Sequence, residues 1–308
     1  MPEVRFDDLH RGGWTRVSQA RPCTVCESPD WCTFRPGVAC CMRVKSNRPL
    51  KNGGFMHLTT DSREVTKRIE RPKEKRVTDA ELDARFALPC LEWRGCEKKI
   101  VELAGLLGVS VVALDRLGVG WDGSAWTFPE RNHVDKTVGV NRRFADGNKL
   151  CLLGSRRGLT YATDWFKTLG PIFIVEGGSD VAAGLTLGLC VVGRSSNMGG
   201  VEYLVRLLSR HDRRVVLLAE CDAKGILPPS HDPSCRCCGQ CWPGKFGAIE
   251  TAKRLSKRLG KLIDWSFLPD GAKDLRAWLN SKGANPDNES AMRRIRASLI
   301  GRTRNAIH

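Results

Sequence analysis

The chain has 308 residues, 41% of them hydrophobic, which is enough for more than one packed domain, and 50 Lys and Arg against 34 Asp and Glu leave a formal net charge of +16. That excess suits a polyanionic partner, because basic side chains gain affinity by displacing counterions from phosphates. No apolar run approaches a bilayer span, and the opening Met1-Pro-Glu-Val-Arg-Phe-Asp-Asp lacks a signal region, so a cytoplasmic protein with no membrane partner is expected.

Fourteen cysteines in such a chain argue for metal ligation, since the cytosol keeps thiols reduced. The first cluster, Cys23-x₂-Cys26, Cys32 and the doublet Cys40-Cys41, has spacings that close a tetrahedral Zn²⁺ site on a small loop-rich module over residues 1–58. Cys23, Cys26, Cys32 and Cys41 are the expected ligands, with Cys40 the spare and His57 an alternative. The plainer alternative is a set of scattered core cysteines. Residues 59–110 are charged and helical in pattern, with a basic run Arg71-Pro-Lys-Glu-Lys-Arg76 and a helix start at Asp79-Ala-Glu-Leu, and read as a linker.

Over residues 111–167, short alternating stretches separated by Gly and Asp turns predict a small antiparallel sheet: Trp126-Thr-Phe-Pro129-Glu-Arg131, Val138-Gly-Val-Asn-Arg142-Arg143 and Lys149-Leu-Cys, followed by Ser155-Arg156-Arg157-Gly158. Beyond it, Ile172-Phe-Ile-Val-Glu176-Gly-Gly-Ser-Asp180 and Val215-Val-Leu-Leu-Ala-Glu220-Cys-Asp222 are apolar runs too short for helices, each ending in carboxylates. They read as buried parallel strands that deliver acids at their carboxyl ends, where open α/β sheets bind ligands. Leu262-Ile-Asp-Trp-Ser-Phe-Leu268 adds another strand, and Lys273-Asp274 another acid. Clustered carboxylates without His or Cys favour Mg²⁺ or Mn²⁺.

Between Asp222 and the helix that follows lies a Cys-rich insertion, residues 229–243. In it His231, Cys235, Cys238 and Cys241 form a candidate second Zn²⁺ knuckle, with Cys237 competing as ligand. Gly239 to Lys245 has P-loop spacing, but Phe246 stands where a Ser or Thr would hold Mg²⁺, so we read it as coincidence. The tail, 283–308, carries Arg293, Arg294, Arg296, Arg302 and Arg304, a basic amphipathic helix suited to nucleic acid or a partner.

In order, Glu176, Glu220-x-Asp222 and Lys273-Asp274 resemble the acids of the Toprim domain, here over residues 168–282, and the Phe-Pro-x-Arg strand with its basic neighbours resembles the subdomain that precedes Toprim in bacterial and phage primases. Glu220 departs from the family's Asp at that place, and its carboxylate sits farther out by ~1.5 Å. The resemblance implies an α/β, Rossmann-like, mainly parallel sheet flanked by helices, preceded by a small basic α+β subdomain and an N-terminal zinc module. It further implies a metal-dependent nucleotidyl transferase that makes short primers. Catalysis would fall to Glu176, Asp180, Glu220, Asp222 and Asp274, with Mg²⁺ or Mn²⁺ on Glu176, Glu220 and Asp222. Arg131, Arg142, Lys149, Arg156 and Lys273 would bind nucleotide and template. Partners would be single-stranded DNA, nucleoside triphosphates and a replicative helicase supplied in trans. A Toprim nuclease and a catalytically silent single-strand-binding protein are the alternatives.

Overall fold

A computed structural model describes residues 14–35, 37–50, 53–59, 77–222 and 242–303. His231, Cys235, Cys237, Cys238 and Cys241, the basic run 71–76 and Arg304 lie outside the described residues. The chain divides into two compact units, residues 1–74 and 75–308.

In the first unit, β1 (Thr15–Arg16), β2 (Thr33–Arg35), β3 (Val38–Cys41) and β4 (Phe55–Leu58) form an antiparallel sheet in chain order. So small a unit has little apolar core. Val17, Cys23, Cys32 and Cys41 are its buried cluster, with Phe34, Met42 and Val44 packed against it.

The second unit opens with α1 (Asp79–Glu92), which starts in a capping box: the Thr78 side chain accepts from the Glu81 N–H, and the Glu81 carboxylate accepts from the Thr78 N–H. Leu82, Phe86 and Cys90, spaced four apart, form one buried stripe and pack on Val138 and Val140. α2 (Glu97–Leu107) and α3 (Val111–Leu117) bury Ile100, Leu103, Leu107, Leu114 and Leu117 in the larger core. Where the charge pattern suggests a linker, the chain from residue 79 onward is therefore built into the body of this unit.

β5 (Gly120–Trp121), β6 (Trp126–Arg131), β7 (Thr137–Arg143) and β8 (Lys149–Cys151) follow as an antiparallel meander. Isolated antiparallel bridges, Arg131 to Leu159 and Thr160 to Gly193, tie this meander to a second sheet. That sheet holds β9 (Ile172–Glu176), β10 (Cys190–Arg194), β11 (Val215–Ala219) and β12 (Asp264–Phe267) in the order β10-β9-β11-β12, all parallel.

Parallel strands need crossovers, and α4 (Gly178–Thr186), α5 (Val201–Leu208) and α6 (Pro243–Leu259) supply them. Strand alternation divides the core. Phe173, Val175, Val191, Val216 and Leu218 pack with α2, α3 and α4 and with the terminal helices α7 (Leu275–Asn280) and α8 (Glu289–Arg302). Ile172, Ile174, Val192, Val215 and Leu217 pack on the opposite face with α5 and α6. Both faces are covered, which is why the strands read as unbroken apolar runs. α8 buries Met292 and Leu299 and leaves Arg293 and Arg294 exposed. Among the described residues, no helix is long and apolar enough to cross a membrane.

Candidate functional site

Because β9 and β11 run parallel, Glu176 at the end of one and Glu220 just beyond the other emerge at the same edge of the sheet. Asp180 lies in the first turn of α4 and Asp274 is the N-cap of α7. These four acids line one pocket of about 470 Å³. Two glycines make the approach possible. Gly177 enters α4 at φ +80, and a side-chain carbon at Gly178 would lie 2.5 Å from Phe128 of β6, so the β9–α4 turn presses against the meander.

Each acid has a distinct setting. Asp180 is buried and accepts the Arg276 N–H at 2.9 Å, while Asp274 accepts the Ala277 N–H at 2.7 Å, so both fasten the start of α7. Asp222 accepts the Gly244 N–H at 2.8 Å at the start of α6, and the Cys221 N–H donates to the Lys273 carbonyl, joining the two acidic motifs. Glu176 keeps its Oε2 buried without a hydrogen-bond partner, 3.9 Å from Nη2 of Arg194. Arg194 is fully buried. Its Nη1 donates to the Gly247 carbonyl and Thr251 hydroxyl, whereas Nε and Nη2 have no hydrogen-bond partner.

Burial raises the Glu176 carboxyl above the usual range, and raises Asp180 further with Asp274 beside it. Glu220 is pushed up to about 7 by burial and by the neighbouring Glu176, Asp274 and Asp222. Opposite the acids stand Arg143, Lys149, Arg157, Lys273 and Arg276. Desolvation in the pocket wall, with Arg143 and Arg276 nearby, holds the Lys149 ammonium down; burial and Arg276 do the same to Arg143. The pocket thus presents acids that favour a bound cation and bases that favour a bound anion. Oxygen donors alone, with one unpartnered and buried, fit a hard divalent ion carrying phosphate.

Of the residues expected from sequence, Glu176, Asp180, Glu220, Asp274, Lys149 and Lys273 line the pocket. Asp222 is coupled electrostatically to Glu176 and Glu220 from just outside the lining. Arg131 pairs with Asp135 at 3.5 Å, and Arg142 pairs with Asp122 at 2.6 Å, neither of them at the pocket. Arg156 pairs with Asp79 and lines a neighbouring groove. Arg143, Arg157, Arg194 and Arg276 were not singled out by sequence. Strand alternation carried the signal for Arg143: Val138 and Val140 face α1, so Arg142 shares their side and Arg143 takes the other.

In the first unit, the sulfurs of Cys23, Cys26, Cys32 and Cys41 all lie within 4.8 Å of one another. The Cys26–Cys32 and Cys32–Cys41 separations, 3.7 and 4.0 Å, are far beyond disulfide length. They match the ~3.8 Å edge of a tetrahedron with ~2.3 Å zinc–sulfur bonds. The Met42 N–H donates to Cys32 Sγ, and the Arg43 and Val44 N–H groups donate to Cys41 Sγ. These bonds suit thiolates. Cys40 and His57 lie outside the cluster, and the His57 Nε2 pairs with the Val44 carbonyl. Burial and the adjacent thiols push Cys32 up to about 12, a cost that metal ligation removes.

No protein-family profile matches the chain, and no curated protein matches it. Solved structures do resemble it. The zinc-binding and RNA polymerase domains of Aquifex aeolicus primase share 13% identity at a TM-score of 0.50, over 74% of this chain and 63% of that one. The E. coli primase catalytic core shares 15% identity at 0.46, over 70% and 79%. The primase fragment of the bacteriophage T7 primase-helicase shares 14% at 0.37, over 92% and 99%. The fold of the chain therefore resembles that of the Aquifex primase domains at low sequence identity, and its N-terminal unit carries a four-cysteine cluster able to hold a metal ion.

Proposed function

We propose that the chain is a primase-like, template-dependent nucleotidyl transferase that makes short primers on single-stranded DNA. The observation that carries this reading is the two-sided pocket, in which clustered carboxylates face Arg143, Lys149, Lys273 and Arg276, none of which forms an ion pair among the described residues. A nuclease and a primase share the acids, but a facing cationic wall suits an incoming triphosphate.

Glu176, Glu220 and Asp222 would hold Mg²⁺ or Mn²⁺, which would supply charge stabilisation for the attacking 3′-oxygen and the departing pyrophosphate. Arg143, Lys149, Lys273 and Arg276 grip the triphosphate opposite those acids. Asp180 and Asp274 keep the α7 turn, and with it Lys273 and Arg276, at the pocket wall. Buried Arg194 offsets the repulsion among the acids and stands 3.9 Å from the inward Oε2 of Glu176, and the partly exposed Glu176 carboxylate accepts a proton from the 3′-hydroxyl. In the first unit, Cys23, Cys26, Cys32 and Cys41 hold Zn²⁺, and the module helps to hold template bases. The second knuckle, on His231, Cys235, Cys238 and Cys241, and a helicase supplied in trans remain part of this proposal.

Glu176→Gln is expected to lose at least ~10²-fold in primer synthesis, the scale typical of a general base, with circular dichroism and single-strand affinity unchanged. Full synthesis by that variant would overturn the assignment.

A further inference from the structure

Arg157 does more than line the acid pocket. It also lines an adjoining groove of about 530 Å³ with Arg156, Tyr203, Arg206 and Arg254. Glu130, whose side chain is 3% exposed, fixes it there: Arg157 Nε donates to both carboxylate oxygens at 3.0 Å, and the Gly158 N–H donates to Oε2 at 2.8 Å. A further bond, from Nη2 to the Ser195 carbonyl, anchors the guanidinium to the loop after β10. Its side chain is nevertheless 45% exposed. Arg157 is therefore a rigid cation on the ridge between two cavities, one closed by acids and the other open and basic.

The acids of the groove are already occupied. Asp79 receives Arg156, the Asn132 amide and the Tyr203 hydroxyl, and Glu202 receives two bonds from Arg258 at 2.7 and 3.1 Å. Arg206 and Arg254 are exposed and form no ion pair among the described residues. A groove in which Arg206 and Arg254 share a single nearby acid, Glu202, already bonded to Arg258, and which has Arg157 in common with the pocket, fits a chain of phosphates better than a single one.

We propose that this groove carries a single-stranded polynucleotide that runs from the acid pocket across Arg157 and over Arg206 and Arg254. The inference rests on the phosphate-handling reading of the acid pocket. Arg206→Glu/Arg254→Glu changes two exposed side chains, and Lys98→Glu/Lys167→Glu makes the same charge change at exposed sites that line neither cavity. Binding of labelled oligothymidylate is measured by anisotropy across a salt series, and binding of ATP with Mg²⁺ by equilibrium dialysis.

The groove variant should bind oligothymidylate roughly tenfold or more weakly, with a log–log salt slope smaller by about 1.4, at ~0.7 per lost single-strand phosphate contact. Its ATP binding should match wild type, and the control should be weakened much less. Arg157→Ala should weaken both ligands, because its side chain lines both cavities. Oligonucleotide binding equal in the groove and control variants, with wild type binding both ligands, overturns the groove and leaves the pocket reading intact. Failure of the wild-type protein to bind either ligand overturns both.

Discussion

Five carboxylates converge where the buried strands end, and three of them, Glu176, Asp180 and Glu220, are expensive to ionise there without a cation. Burial raises Glu220 to about 7 from an unperturbed 4.5, with Glu176 and Asp180 raised in the same direction. A carboxyl whose folded-state pKa is raised contributes stability below its unfolded value and loses it as pH rises through the folded one. Metal-free protein should therefore melt at progressively lower temperature from about pH 4.5 to 7, in line with that shift. Millimolar Mg²⁺ or Mn²⁺ should restore the loss, and Glu220→Gln should flatten the slope; scanning calorimetry against pH with and without metal measures both. Neighbouring arginines give a second contrast. Arg143→Ala removes a pocket cation and should raise the nucleotide KM about tenfold, the scale of one charged hydrogen bond. Arg142→Ala should leave KM alone and lower stability by ~1–2 kcal/mol, because it removes the partner of Asp122 Oδ2 while Oδ1 keeps its bonds from Ser124 and Ala125. Glu176 and Glu220 were legible because each closes an apolar run, and Asp274 followed from the Lys-Asp pair beyond the last strand. The choice between Arg142 and Arg143 needed the side of β7 that meets α1, which depends on tertiary packing.

Elements deliver these side chains, and their junctions are where small changes should tell. A side-chain carbon at Gly244 would lie 2.6 Å from the Glu220 carbonyl oxygen and 2.8 Å from Asp222 Oδ1. Gly244→Ala must push the start of α6 away from both acids. We expect a drop of tenfold or more in metal-dependent activity, with a loss of ~1–3 kcal/mol in stability of the kind overpacking produces, read from turnover and denaturant melts. The first unit depends on its four sulfurs in place of a core. Stripping metal with a strong chelator, or Cys32→Ser, should abolish hydrogen-exchange protection over residues 14–59 while residues 77–222 keep theirs, and intact protection in the first unit would contradict a structural zinc site. Parallel strands and the Cys-x₂-Cys start were readable from pattern alone. The helical pattern and the start at Asp79 were readable too, but the packing of α1 and α2 into the core was not, because their exposed faces are so charged that the buried stripe of Leu82, Phe86 and Cys90, or of Ile100, Leu103 and Leu107, is diluted in composition.

At the scale of the whole molecule, a net charge of +16 surrounds a pocket whose own acids need a cation, an arrangement suited to drawing in nucleic acid and metal–nucleotide together. Charge alone could not distinguish that role from any other basic protein. The order of strands, which brings residues 176, 220 and 274 to one edge, gives the charge a place to act. The most direct measurement incubates the zinc-loaded protein with single-stranded DNA, labelled nucleoside triphosphates and Mg²⁺ or Mn²⁺, and resolves the products at single-nucleotide resolution. A primase yields short labelled products whose sequence follows the template and which vanish without divalent metal. Shortened template, or intact template with no new product under either metal, would contradict it.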